Sequence, residues 1–278
     1  LDDYRYAALK NLTRARFFAV QNLTREKQRF MNQLFKKYST MAQEKVFSDT
    51  FSTTALAVYE SFESAETLAN MDLHQLTEFI IKKGKNRFPD PDSGAKAIQK
   101  AARSAYRLPK TVNDSVNQVL SISISSMRAM ESQIKAFDKA IAEQMALIPN
   151  TLTSVNGIGP VYSAGIIAEI GDISRFPNQA SLAKYAGLVW SQHQSGDFEA
   201  QNTRLIHSGN RYLKYYLCEA ALSLVRCDAE YRSFYHRKYK EVNKYQHKRA
   251  LALTARKLVR LVFRLLKDNC LYRVPESK

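Results

Sequence analysis

Cysteine is scarce in this 278-residue chain: Cys218, Cys227 and Cys270 lie far apart, with no C-x-x-C spacing and no nearby paired histidines. That excludes a disulfide framework and a cysteine-based zinc site, and it reads the three thiols as small buried apolar groups. Nine glycines and seven prolines are too few for a sandwich or barrel made of many short turns, so long helices are expected instead. No apolar run approaches the length of a membrane span, and the N-terminus lacks the apolar core and small-residue cleavage site of a signal peptide. The chain therefore reads as cytoplasmic, with no membrane partner. It opens on Leu1 rather than Met, as a fragment would. Acid is short as well: 26 Asp and Glu against 42 Lys and Arg give a net charge of +16 and a pI near 9.7. Such a balance favours a polyanionic partner, nucleic acid before an anionic membrane. The carboxylates form no convergent set. Nor do the five histidines, His74, His193, His207, His236 and His247, form a ligand pattern, so no metal site is expected in this chain.

What is present is a foldable composition, 45% hydrophobic and 11% aromatic, enough to bury one or two cores. Residues 3–37 read as one long helix with apolar positions at Leu12, Ala19, Leu23 and Phe30, interrupted by Arg16, Glu26 and Gln33. Asp72 followed by Gln75 signals a helix start, and "RFPDPDSG" (87–94) reads as a loop. From Thr111, Val116, Leu120, Met127, Met130, Ile134, Phe137 and Ile141 alternate steps of four and three, the spacing of a coiled-coil seam. The seam serves either packing within the chain or a homo-oligomer. The predicted organisation is a first coiled-coil arm (1–45), a helical insertion (46–110), a second arm (111–148) and a compact C-terminal domain (149–278).

Pro149 and Asn150 end the second arm. "VNGIGPVYSAGIIAEIGD" (155–172) then combines a Gly-x-Gly turn, a proline at the first helical position and an apolar helix closed by Gly171. This is the pattern of a helix-hairpin-helix element, in which Gly157 and Gly159 would let backbone N–H groups approach a phosphate. A tight turn against a packed helix needs the same glycines for steric reasons alone. Asn178 reads as the cap of a helix running to Ala186, "GLVWSQHQSGDF" (187–198) as strand or extended loop, and everything from Ser208 onward as helix. Residues 204–273 carry seventeen Lys and Arg against five Asp and Glu, most of the chain's surplus. In "YRSFYHRKYKEVNKYQHKR" (231–249) aromatic and basic side chains alternate, joining phosphate pairing to base stacking. Lys214, Arg237, Lys238, Lys248, Arg249, Arg256 and Lys257 are the expected DNA contacts.

Two serines stand before glycine in this polar region. Ser195, followed by Gly196 and with Arg204 and Arg211 downstream, has the accessible hydroxyl and the positive charge that a phosphoryl-transfer nucleophile requires. Ser208, before "GNRYLK", reads as a helix N-cap. His193 sits two positions from Ser195, a spacing too common to assign as a base. Asp172, Asp197 and Glu199 read as loop or capping residues.

The order "NGIGPVYSAGIIAEIGDISRFPNQASLAKYAGL", "SQHQSGDF", "SGNRYLK", "ALTARKLVRLVFRLL" resembles the C-terminal region of the IS116/IS110/IS902-type insertion-sequence transposases, which are bridge-RNA-guided DNA recombinases. The resemblance runs from about Leu147 to the C-terminus. It implies a bacterial, nucleoid-associated DNA transposase whose serine joins covalently to DNA. That serine falls on Ser195, with Gly196 beside it. Two departures stand out. Gln194 and Asp197 occupy positions where the family often doubles the serine and the glycine, and an acid beside a phosphate opposes binding unless a cation offsets it. The family's acidic RuvC-like domain, which precedes the coiled coil and binds Mg2+, is not in this sequence. The implied expectations are a composite active site, a chain inactive alone, a guide (bridge) RNA and a homo-oligomer. The fold expectation is mainly α: long coiled-coil helices with a helical insertion, then a compact helical domain with a helix-hairpin-helix-like element and a serine-bearing loop. Two rivals remain, a non-catalytic helix-hairpin-helix DNA-binding or architectural module in which Ser195 is only a turn residue, and a coiled-coil adaptor that leaves the basic segment without a purpose.

Overall fold

A computed structural model of the chain describes residues 4–41, 43–44, 46–85, 90–190, 194–195, 198–199, 205–206 and 208–273. The described residues are mainly α-helical: α1 (Tyr4–Lys37), α2 (Thr53–Ser61), α3 (Ala65–Asn70), α4 (Leu73–Gly84), α5 (Pro91–Ser104), α6 (Lys110–Met145), α7 (Pro160–Ile170), α8 (Gln179–Tyr185), α9 (Arg211–Cys227), α10 (Ala229–Lys240) and α11 (Gln246–Lys267), with two-residue strands β1 (Gln194–Ser195) and β2 (Phe198–Glu199). They divide into two compact units, Leu1–Phe18 with Ile134–Lys278, and Ala19–Gln133.

In the unit 19–133, capping sets where the short helices begin. Ser52, Ser64, Asp72 and Asp90 accept backbone N–H bonds from Ala55, Thr67, Gln75 and Ser93, satisfying donors that each first turn leaves open. Asp90 with Pro91 at the first helical position starts α5 inside the stretch expected to be loop; residues 86–89 of that stretch lie outside the described residues. The core gathers Phe30, Leu34, Tyr38, Tyr59, Leu68, Leu76, Ile80 and Ile98 with Val116, Leu120, Ile124 and Met127 of α6. Each large apolar side chain buried contributes roughly 1.5–3 kcal/mol. Glu26, expected to break the seam, accepts a hydrogen bond from Ser123 Oγ at 2.5 Å. Lys37 is buried, with Nζ donating to the carbonyls of Tyr59 and Phe62. Burial pushes its ammonium down to about 8.

The other unit builds its core from α7, α8, α9 and α11, with Leu9 of α1 and Ile141 and Met145 of α6. α7 carries Ala, Gly and Ile on nearly every side, and Ser163–Ile170 are all buried; a helix apolar all round belongs in an interior. Gly165 sets the α7–α9 distance: a Cβ there would fall 2.2 Å from the Tyr216 ring. Tyr216 is itself held by a 2.6 Å bond from its hydroxyl to the Thr13 carbonyl. Arg16, the other charge expected to interrupt the seam, pairs with Asp138. Of the cysteines expected to be buried, Cys227 is exposed and Cys218 and Cys270 are half-buried. Cys227 ends α9, and a Cβ on Gly157 would fall 3.2 Å from its Cβ and 3.5 Å from its sulfur. Burial raises the Cys218 thiol to about 11.

Candidate functional site

The hairpin between α8 and α9 is anchored at both ends by glycine. Asn178 caps α8 with both arms of a capping box, and after Ala186 the chain turns at Gly187 with φ +68°, a backbone region that favours glycine. Gly209, at φ +118°, returns across it: a Cβ on Gly209 would sit 2.6 Å from the Gly187 Cα and N, and one on Gly187 would sit 2.5 Å from the Ser208 carbonyl. The two strands of chain can cross only because neither carries a side chain there. Leu188 N bonds back to Ala183 O at the end of α8, and Ile206 N to Val189 O and Asn210 N to Tyr185 O zip the hairpin's base, all at 2.7–3.0 Å. Trp190 bridges Leu205. Farther out, β1 and β2 pair antiparallel with Ser195 opposite Phe198, so the extended conformation expected around Ser195 is present in its backbone. His193, Gly196, Asp197, Arg204 and His207 lie outside the described residues.

Beneath the hairpin lies a polar network that sequence reasoning missed. Glu169, fully buried in α7, receives both arms of Arg14, Nε at 2.7 Å and a terminal nitrogen at 2.9 Å. Its second oxygen also accepts from the Asn210 side-chain amide at 2.7 Å. That amide donates in addition to the Tyr185 hydroxyl at 3.1 Å, while Asn210 Oδ1 accepts from the N–H groups of Tyr212 and Leu213. A buried carboxylate needs this degree of pairing to remain charged. The hydrogen bond to Glu169, followed by its charge, raises the Arg14 guanidinium above its usual range. Asn210 therefore caps α9, and the expectation that Ser208 does so is corrected. Ser208 lies two positions too early, and only the Asn210 amide reaches both the helix N-terminus and Glu169. One sequence signal was available: Glu169 is the lone charge in the apolar run of α7.

The basic residues sort by what they touch. Arg211, exposed at the first position of α9, lies 4.8 Å from the Tyr212 ring centroid. Lys214 is half-buried, and its Nζ would meet a Cβ on Gly187 at 2.9 Å, placing its ammonium at the glycine crossing. Arg237 and Lys248 are exposed. Lys238 and Arg249 clasp Glu241 from two sides, at 2.6 and 2.9 Å, and together hold that carboxyl below the usual range. Lys257 pairs with Glu230 at 2.5 Å over the rings of Tyr231 and Phe234. Arg256 is half-buried with one guanidinium nitrogen unpartnered; burial first, and then Arg260, pulls its pKa down. Lys238, Arg249 and Lys257 thus spend part of their charge joining α10 to α11. A Cβ on Gly157, at φ +103°, would fall 3.2–3.4 Å from Cys227 and Leu224 of α9, whereas one on Gly159 would meet nothing within 4 Å. Sterics account for the first; the second leaves the start of α7 open. A 3-10 turn, Leu152–Ser154, precedes these glycines. Asp172 takes the capping role, accepting from Ser174 N and Oγ, bonds that lower its carboxyl. Among the described residues no group of three or more His, Cys, Asp or Glu is placed to hold a metal ion, and no helix is long and apolar enough to cross a membrane.

Comparison with known proteins adds a second line. Residues 150–236 match a family model described as "Transposase IS116/IS110/IS902 family". Over 189 residues, 62% of this chain, it is 29% identical to 46% of "Insertion element IS110 uncharacterized 43.6 kDa protein" of Streptomyces coelicolor. It is 26% identical over 243 residues, 83% of this chain, to 57% of "Insertion element IS116 uncharacterized 44.8 kDa protein" of Streptomyces clavuligerus. A "Probable family 20 transposase" of Pseudomonas aeruginosa shares 31% identity over 100 residues, 36% of this chain and 28% of that protein. The chain spans about half the length of the first two of these relatives.

Proposed function

We propose, from the match of residues 150–236 to a family model described as "Transposase IS116/IS110/IS902 family", that this chain binds DNA and supplies the serine of an insertion-sequence transposase. The Ser195 hydroxyl oxygen attacks a phosphodiester phosphorus. The new O–P bond replaces the bond from phosphorus to the 3′ oxygen, the serine proton is lost to a base, and the departing 3′ oxygen takes up a proton. One observation carries this reading: Ser195 sits in a paired hairpin whose two ends are fixed by the Gly187–Gly209 crossing and tied through Asn210 to the start of α9. A nucleophile held on a rigid base keeps its approach to phosphorus aligned, and cations beside it offset charge gained in the transition state. Arg211, at the first position of α9, and Arg204 supply this charge.

The remaining parts follow from the family resemblance. The resemblance assigns Mg2+ to a RuvC-like acidic domain. Phosphoryl transfer there draws on the ion for charge neutralisation. The chain alone binds nucleic acid without completing strand exchange, works with a guide RNA, acts as a homo-oligomer and resides on the bacterial nucleoid. Gly159 with the open start of α7, and the exposed Arg237 and Lys248, supply phosphate contacts.

The test is covalent capture. The chain is mixed with labelled target DNA, guide RNA and Mg2+, with and without the acidic domain, and denatured protein is examined for attached DNA. An adduct that needs the acidic domain and disappears in Ser195→Ala is expected. Retention of the adduct in Ser195→Ala refutes the assignment; its absence in every mixture, with binding intact and the added parts active, leaves a DNA-binding architectural module.

A further inference from the structure

At the start of α9 the structure presents a surface that neither the core nor the hairpin needs. Phe17 of α1 packs edge-on against Tyr212 and Tyr215, with centroids 5.1 and 4.9 Å apart, and is half-buried as an aromatic wedge should be. Its neighbour Phe18 is different. It meets Tyr212 edge-on at 6.0 Å yet remains 46% exposed, a large apolar ring turned partly to water. Arg211 lies over both, 5.5 Å from the Phe18 centroid and 4.8 Å from that of Tyr212, and donates to the Tyr212 hydroxyl at 2.8 Å.

Electrostatics at this point are unbalanced. Arg14 also stacks on Tyr212, at 4.4 Å, but its charge is met by Glu169. Arg211 has no carboxylate partner among the described residues. It occupies the first position of a 17-residue helix with no acid in its first turn, where the helix dipole is already positive and a cation is disfavoured. A guanidinium with no carboxylate partner among the described residues, held at a positive helix end by ring faces and one hydroxyl beside a partly exposed ring, is a local electrostatic conflict. A ligand that is anionic at one end and flat and aromatic at the other resolves both halves of the conflict.

We propose that Phe18, Tyr212 and Arg211 form a platform for one unpaired nucleotide of the DNA strand entering the hairpin, its base stacked on Phe18 and its phosphate on Arg211. An unpaired base is specified because bases in a duplex have their faces covered by stacked neighbours and show only edges, whereas an aromatic ring reads the face. DNA is specified because Arg211 directly follows the Asn210 cap at the hairpin's exit. That choice rests on reading the hairpin as the strand-cutting loop; the platform geometry does not.

The experiment is equilibrium binding of the full chain, carrying Ser195→Ala so that no covalent step contributes, to a single-stranded DNA labelled with 2-aminopurine, to the same sequence as duplex, and to single-stranded RNA. Phe18→Ala is expected to weaken single-strand binding roughly tenfold or more, to abolish stacking-induced quenching of the probe, and to leave duplex affinity within about twofold. Phe18→Trp should restore both readouts. Should Phe18→Ala melt early, Phe18→Leu keeps the bulk beside Tyr212 without the ring and gives the same comparison. Equal affinity before and after substitution, or equal loss for single strand and duplex, overturns the platform. A Phe18-dependent preference for RNA over DNA overturns the choice of strand. Failure of the serine reading registers elsewhere, as missing covalent adduct with Phe18-dependent binding intact.

Discussion

Glu169 concentrates several demands in one side chain. Its carboxylate is fully buried while its partner Arg14 keeps 39% of its side chain exposed, so the two ends of the pair are not equivalent. Removing the carboxylate in Glu169→Ala leaves Arg14 without its counter-charge and the Asn210 amide without its strongest acceptor. We expect a loss of about 2 to 4 kcal/mol in unfolding free energy. Arg14→Gln should behave differently, because it strands the buried carboxylate itself. Glu169→Gln, which retains an acceptor for Asn210, should lose less than Glu169→Ala. Denaturant titration of the three variants checks the order, and equal midpoints for Glu169→Ala and wild type contradict the account. The sequence made part of this legible. A single acid in an apolar helix announces that it needs a partner, but nothing local identifies Arg14, 155 positions away. Ser208 and Asn210 are both acceptable caps by side-chain chemistry; the choice between them is made by Glu169 and Tyr185, which belong to other elements. The backbone at Ser195 was readable as extended, whereas the glycine crossing depends on two positions, 187 and 209, brought together only by the fold.

At the scale of elements, helix starts were the most legible feature because they are local: Asp72, Asn178 and Pro160 each act within a turn of where they stand. Seams were legible only in part. Val116, Leu120 and Met127 are buried as the spacing predicts, but Met130, Ile134 and Phe137 are only half-buried. The charges that break the pattern are satisfied across helices, Arg16 by Asp138 and Glu26 by Ser123. Contact between α7 and α9 could not be inferred at all, since it depends on Gly165 meeting Tyr216. It can be tested there. Alanine is favoured over glycine inside a helix by up to about 1 kcal/mol, yet a Cβ at 165 would lie 2.2 Å from a ring whose hydroxyl is anchored to Thr13. Overpacking of this kind costs about 1 to 3 kcal/mol, so Gly165→Ala should lower the melting temperature despite its better propensity. A rise would mean the Tyr216 ring yields freely, and would remove Gly165 as the determinant of helix spacing.

Across the whole molecule the net charge of +16 sets how the proposed DNA partner would be met. Charge counted from sequence overstates the number of cations free to meet phosphate. Lys238 and Arg249 are committed to Glu241, and Lys257 to Glu230, whereas Lys248 and Arg237 make no ion pair among the described residues. Counterion release ties the salt dependence of binding to the number of phosphates neutralised, with a slope near −0.9 for each contact on duplex DNA. Lys248→Ala should therefore flatten a plot of log affinity against log salt by roughly one contact, while leaving unfolding unchanged. Arg249→Ala should alter the slope less and loosen the join between α10 and α11, because its guanidinium also donates to the Lys238 carbonyl. Measuring duplex binding over a salt series for both variants, with thermal unfolding alongside, separates cations that meet DNA from cations that hold the domain together. Equal slope changes for Lys248→Ala and Arg249→Ala would show that the ion pairs with Glu241 open freely when phosphate arrives, and the division drawn here between binding and structural charge would be lost.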